Sequence, residues 1–173
     1  MTLDVVKSLI REIPDFPKKG IDFKDITPVL RDKEAFNYSI NMLAKALEGK
    51  NIDLIAGSEA RGFIFGAPLA YKMGVGFIPV RKPRKLPPMT IKYEYELEYG
   101  IDALEMQKDA IQKGQRIIIV DDLLATGGTA YAVLKLIEQL GGVVESLLFL
   151  IELTSLNGRK KLDGYDIISL IKY

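Results

Sequence analysis

Near the amino terminus Leu3, Val6, Ile10 and Ile13 recur every three or four residues until Pro14, and this spacing predicts a first amphipathic helix. Residues 15–20, rich in Pro and Lys, stop it. A second stripe, Phe36, Ile40, Leu43 and Leu47, follows Asp32 and ends near Gly49. Beyond residue 50 the punctuation changes. Short runs rich in Val and Ile at 52–56, 75–80, 116–120, 143–153 and 166–171 read as strands, with helical patterns at 62–73 and 129–140 between them. In the last helix Val133, Leu134, Ile137 and Leu140 precede Gly141 and Gly142. Strands that are apolar on both sides and alternate with helices predict an α/β fold, an open parallel sheet with helices on both faces.

One segment breaks the alternation. Tyr93, Tyr95, Leu97 and Tyr99 interleave with Glu94, Glu96 and Glu98, and residues 103–106 resume an extended pattern. With Pro87 and Pro88 ahead of it, this predicts a two-stranded flap over 83–106 standing away from the sheet.

A chain of 173 residues without repeat or linker is expected to form one domain, 1–173. Its 24 Lys and Arg against 23 Asp and Glu leave a formal charge of +1, which gives no global footprint for nucleic acid or an acidic membrane. Any anion site must be local. No Cys and no His occur, so thiol catalysis, the usual triads and N- or S-ligated metals are excluded. Acid–base work falls to Asp, Glu, Lys or Tyr, and a metal would have to be hard and oxygen-bound. Residues 1–7 carry no cationic stretch leading into an apolar run, and no apolar run approaches the ~20 residues that span a bilayer. A cytoplasmic protein is expected.

The chemical signal lies at 117–129, where Ile117, Ile118, Ile119 and Val120 run into Asp121 and Asp122, then Leu123, Leu124, Ala125, Thr126, Gly127, Gly128 and Thr129. Small residues at Ala125, Gly127 and Gly128 let backbone N–H groups converge on an anion, Thr126 and Thr129 add hydroxyls, and the following helix presents its positive end. The helix dipole alone supplies roughly 0.3 to 1 kcal/mol, so aimed donors must do most of the holding. A tight turn with capping acids is the plainer alternative, but adjacent buried acids are costly without a task. No G-x-x-x-x-G-K loop and no G-x-G-x-x-G turn is present. Two carboxylates beside a phosphate cradle suit a sugar, accepting hydrogen bonds from neighbouring ribose hydroxyls.

This segment resembles the phosphoribosyl-diphosphate motif of the type I phosphoribosyltransferases. Asp15-Phe16-Pro17 with Gly20, residues 23–28, Gly57 with Ala60-Arg61-Gly62-Phe63, Arg81-Lys82 with Lys85-Leu86-Pro87, Leu97-Glu98-Tyr99-Gly100 and residues 152–156 are, in order, similar to the members of that family that act on adenine. The resemblance implies the family fold, with an amino-terminal hood over 1–31. It further implies transfer of a phosphorylated ribose from phosphoribosyl diphosphate to adenine, giving AMP and diphosphate.

By the same resemblance Glu59, Ala60, Arg61, Arg81, Lys82 and Lys85 bind diphosphate, with a cis Glu59–Ala60 peptide. Asp22, Phe23, Lys24, Ile26 and Tyr99 frame the base, with Lys24 where relatives usually carry Arg, and Glu98 is the acid–base candidate beside Asp121 and Asp122. Mg²⁺ is the implied cofactor, held mainly by substrate oxygens. A homodimer is implied because the residue at the Arg81 position can come from the partner subunit. Transfer to hypoxanthine, xanthine or orotate, or a regulator that only senses phosphoribosyl diphosphate, remain the alternatives.

Overall fold

The computed structural model describes residues 1–96 and 101–173. Five strands, β3 (Leu54–Ser58), β4 (Gly76–Val80), β7 (Arg116–Leu124), β8 (Val143–Glu152) and β9 (Ile167–Lys172), form a sheet in the order β4-β3-β7-β8-β9. All its pairings are parallel. Helices α1 (Leu3–Leu9), α2 (Thr27–Arg31), α3 (Lys33–Lys45) and α4 (Arg61–Met73) supply the apolar side chains for one face. Helix α5 (Gly128–Gln139) covers the other.

Strand geometry explains why the sequence reads as continuous apolar runs. Side chains alternate across the sheet, so Ile117 and Ile119 pack toward α5 with Leu134, Ile137 and Phe149. Ile118 and Val120 pack the other way, onto Phe65, Leu69 and Leu43. Both faces are core. Local chemistry sets the helix ends, as at α3, where the Asp32 carboxylate accepts from the amides of Glu34 and Ala35 at 2.9 Å each. Such a cap contributes about 1 kcal/mol.

Three expectations need correction. The first helix stops at Leu9 instead of running to Ile13, because Arg11–Ile13 forms a strand, β1, paired antiparallel with β2 (Phe23–Asp25). Its backbone finds ladder partners there, and Arg11 to Asp25 and Lys24 to Glu12 are ion pairs across the two strands. Strand β7 continues past residue 120 to Leu124, which places both acids inside the strand. The excursion after the prolines is indeed two-stranded, β5 (Thr90–Glu96) against β6 (Ile101–Gln107), but its base does not stand away. Tyr95, Ala103, Leu104 and Met106 are buried, and the Tyr93 ring meets Tyr131 of α5 edge-on, 6.3 Å between centroids. One face of the hairpin is apolar, and burying it against α5 outweighs leaving it in water.

Candidate active site

Parallel strands β3 and β7 run side by side until Gly57 meets Val120, and β7 then continues past the end of β3 with the two acids. Above their carboxyl ends opens a cavity of about 290 Å³, lined by Glu59, Ala60, Arg61, Asp121, Asp122 and residues 123–130. A crevice at strand carboxyl ends is where open α/β sheets place ligands. The Gly-rich segment forms its rim. Gly127 takes a left-handed conformation (φ 83°) and turns the chain from β7 into α5, whose first residues are Gly128 and Thr129. Among the described residues the amides of Ala125, Thr126 and Gly127 donate to no protein acceptor, which leaves them for an anion.

Asp121 and Asp122 do different things. Ser58 at the end of β3 donates its hydroxyl to Asp121 Oδ2, and the amide of Asp122 donates to Asp121 Oδ1 at 2.8 Å. Burial, and then the adjacent Asp122 charge, push the Asp121 carboxyl up to about 8. Asp122, 3% exposed, is also raised by burial, with Arg61 pulling the other way. Arg61 Nε lies 3.0 Å from Asp122 Oδ2, an ion pair, yet its N–H is not directed along a hydrogen bond. That buried oxygen therefore has no hydrogen-bond partner among the described residues. An unsatisfied carboxylate oxygen at the wall of an open cleft is a place for a ligand hydroxyl or a hard cation.

The strand changes parity at these acids. Ile117 and Ile119 belong to the α5 side and Ile118 and Val120 to the other, but beyond the acids Leu124 is on the α5 side and Leu123 opposite. Asp122 drops out of the ladder pairing with β8, which resumes at Leu123 and Ile151. The register itself is unchanged across the gap, Asp121 facing Phe149 and Leu123 facing Ile151, and both successive acids line one cleft.

A second cavity, about 490 Å³, adjoins the first and shares Arg61, Leu123, Ala125 and Thr126 with it. Gly20, Asp22, Phe23, Lys24, Leu153 and Tyr173 are among the other residues of its wall. The Arg61 guanidinium stands 5.0 Å from the centroid of the Phe23 ring and donates to the Lys24 carbonyl at 3.4 Å. Lys24 is 7% exposed; its Nζ pairs with Glu12 at 2.9 Å and lies 4.3 Å from the centroid of the Tyr173 ring. Ile26 departs from expectation. Its side chain is buried in the core with Val6, Ile10 and Val29 and does not line the cavity, because Thr27–Arg31 coils into α2 and turns it inward.

The basic cluster is placed differently from the loop. Arg81 Nε meets Glu59 Oε2 at 2.7 Å, its Nη1 donates to the Lys85 carbonyl, and the Lys82 amide donates to Glu59 Oε1 at 2.9 Å. Burial acts to raise Glu59, but these donors hold it below its usual range. Lys82 Nζ pairs with Asp102 of the hairpin at 3.1 Å, which raises the lysine. Arg81, Lys82 and Lys85 line neither cavity. The Glu59–Ala60 peptide is cis, as the resemblance implies. Glu98 and Tyr99 lie outside the described residues.

Sequence reasoning did not single out Ser58 as a partner of Asp121, although strand register makes them neighbours once β3 and β7 are paired. Tyr173 and Asp102 gave no local signal, since each reaches the site from a distant element.

A parallel sheet with two acids and an anion-ready loop at its carboxyl edge, beside an aromatic cavity, defines the type I phosphoribosyltransferase class. The model of the phosphoribosyl transferase domain family matches residues 27–169. An adenine phosphoribosyltransferase of Caldanaerobacter subterraneus subsp. tengcongensis is 75% identical over 173 residues, all of both chains. The crystal structure of the adenine phosphoribosyltransferase of Thermoanaerobacter pseudethanolicus superposes with a TM-score of 0.98 at 73% identity, covering 99% of this chain and 100% of that one. That of Saccharomyces cerevisiae, complexed with an imino-altritol bisphosphate and adenine, gives 0.92 at 43% identity, covering 97% of each. The chain belongs to the adenine phosphoribosyltransferase family, whose members are pentosyltransferases. Among the described residues no helix is long and apolar enough to cross a membrane.

Proposed function

We propose that this protein transfers the 5-phosphoribosyl group of phosphoribosyl diphosphate to N9 of adenine, in the purine-salvage direction. A C1–N9 bond forms, the C1–O bond breaks, diphosphate leaves with the electron pair, and the base gives up the N9 proton. The observation that carries this reading is Arg61 standing between two adjoining cavities, paired with Asp122 in one and stacked over Phe23 in the other. The sugar phosphate would lie on the amides of 125–128 with Thr126 and Thr129, and the base between Phe23 and the wall formed by Asp22 and Lys24. Asp121 and Asp122 would hydrogen-bond the ribose hydroxyls, and the negative charge carried by the pair would favour positive charge developing on the ring.

Glu98 is assigned to the base proton and Tyr99 to the base pocket, while Glu59, Ala60 and Arg61 with Arg81, Lys82 and Lys85 serve the diphosphate. Asp122 Oδ2, ion-paired with Arg61 but without a directed hydrogen bond, and the all-oxygen donor set suit Mg²⁺ brought in on substrate oxygens. Bound there, the ion would neutralise charge on the departing diphosphate. Among the described residues no three carboxylates are grouped to hold it alone. We infer a cytoplasmic homodimer, in which Arg81 and Lys82 would reach the partner's diphosphate.

A panel of adenine, hypoxanthine, xanthine and orotate with phosphoribosyl diphosphate and Mg²⁺ tests the reading. AMP and diphosphate should form with adenine only. Equal turnover of hypoxanthine, or none with adenine, overturns it.

A further inference from the structure

Behind the phosphate loop runs the segment that follows β8, where Asn157 adopts a left-handed conformation (φ 54°) and a 3-10 turn, Gly158–Leu162, begins. Gly158 is buried. A Cβ on it would stand 2.2 Å from the Ala125 carbonyl oxygen and 3.0 Å from Leu124 Cδ1. From the other side, a Cβ on Gly127 would stand 2.6 Å from the Gly158 carbonyl oxygen. The two backbones touch with no room for a methyl group on either.

Gly158 is itself fixed. The neighbouring Arg159 forks onto Glu152, Nε to Oε1 at 2.7 Å and Nη2 to Oε2 at 2.8 Å. It also donates to the Ile167 carbonyl at 3.0 Å and Ser169 Oγ at 3.2 Å. Glu152 is 5% exposed, and the Arg159 hydrogen bonds hold its carboxylate below the usual range. It ends β8 and is in register with Leu124, the last residue of β7 before the loop. Leu124, Glu152, Arg159, Gly158 and Ala125 thus form a closed frame of strand pairing, bidentate ion pair and backbone contact.

We propose that Gly158 is a positioning residue for phosphoribosyl binding: its bare backbone, anchored by the Arg159–Glu152 pair, sets where the amides of 125–127 point. The proposal rests on the functional reading above, because it assumes that the loop holds the sugar phosphate. A carbonyl pushed aside at Ala125 rotates the next amide with it, since the peptide unit is rigid.

The test compares wild type with Gly158→Ala in steady-state kinetics and in calorimetric titration with ribose 5-phosphate, alongside thermal midpoints. Expected for Gly158→Ala are a KM for phosphoribosyl diphosphate and a Kd for ribose 5-phosphate raised about 10-fold or more, with the adenine KM within about twofold. A phosphoribosyl-diphosphate KM that stays within twofold, or an equal rise in both KM values, overturns the proposal. Should Gly158→Ala not fold, Arg159→Lys decides. It keeps the charge and loses the fork, so the same one-sided shift of about threefold is expected, and its absence is equally fatal. The titration needs no turnover, so wild type that binds ribose 5-phosphate but makes no AMP sinks the functional reading and leaves the positioning role open to measurement.

Discussion

Arg61 Nε lies 3.0 Å from Asp122 Oδ2 while the same guanidinium stands over the Phe23 ring. The side chain thereby ties the acid at the sugar end to the aromatic at the base end, and one substitution should disturb both. Arg61→Gln removes the positive charge that acts to lower the Asp122 pKa. A loss in kcat/KM of about 100-fold is expected, roughly 2.7 kcal/mol of transition-state stabilisation, with the KM values for both substrates raised. Arg61→Lys should recover only part of it, since an ammonium cannot both pair and stack in this way. Wild-type kinetics for Arg61→Gln would remove the link between the cavities.

The Asp pair predicts how stability varies with pH. Asp121 has an ordinary value of 3.8 and is pushed up to about 8 in the fold, by burial and then by Asp122. Between those values the folded state holds a proton that the unfolded chain has released, so stability from this group is full below 3.8 and is lost as pH rises toward 8. Asp121→Asn abolishes that dependence. Thermal midpoints at pH 5 and pH 8, at fixed ionic strength, should show the variant gaining on wild type as the pH rises. A constant gap between the two curves contradicts the assignment.

Gly62 offers a way to move Asp121 without removing it. A Cβ there would stand 3.0 Å from the Val120 carbonyl oxygen, 3.1 Å from Asp121 Oδ1 and 3.3 Å from Ser58 Oγ. Gly62 sits in the first turn of α4, where Ala is favoured over Gly by up to about 1 kcal/mol in helix propensity. Gly62→Ala should therefore keep a thermal midpoint close to wild type while kcat falls about 10-fold or more through the displaced carboxylate. Activity and stability falling together would point to a packing defect instead.

The fold was legible where one period ruled a whole element. Buried strands and the helices α3, α4 and α5 declare themselves by apolar spacing, and the loop at 125–129 by its small residues and hydroxyls. Partner-dependent features were not legible. Residues 10–13 fit a helical stripe as well as a strand, and only pairing with Phe23–Asp25 decides between them. Ile26 looked available for the base until α2 turned it into the core. Composition located the basic cluster at 81–85, but Arg81 is engaged by Glu59 and Lys82 by Asp102 of the hairpin, which no local pattern announces.

Tyr173 is the clearest case of a distant contribution. Its ring lies 4.3 Å from Lys24 Nζ and 4.5 Å from Lys7 Nζ, and it lines the larger cavity. Two ammonium groups over one ring hold β2 and α1 against the end of β9, so the ring should position the Lys24 backbone that faces the base. Each such contact contributes about 0.5 to 1 kcal/mol at a partly exposed site. Tyr173→Leu keeps bulk and removes the π face. We expect the adenine KM to rise about threefold to 10-fold while the KM for phosphoribosyl diphosphate holds, and Tyr173→Phe, which keeps the ring, to restore the wild-type value. If Phe fails to rescue, the phenolic hydroxyl, which donates to the Lys7 carbonyl at 3.4 Å, matters more than the ring. If Leu is silent, the cations are not what seats β2 over the base.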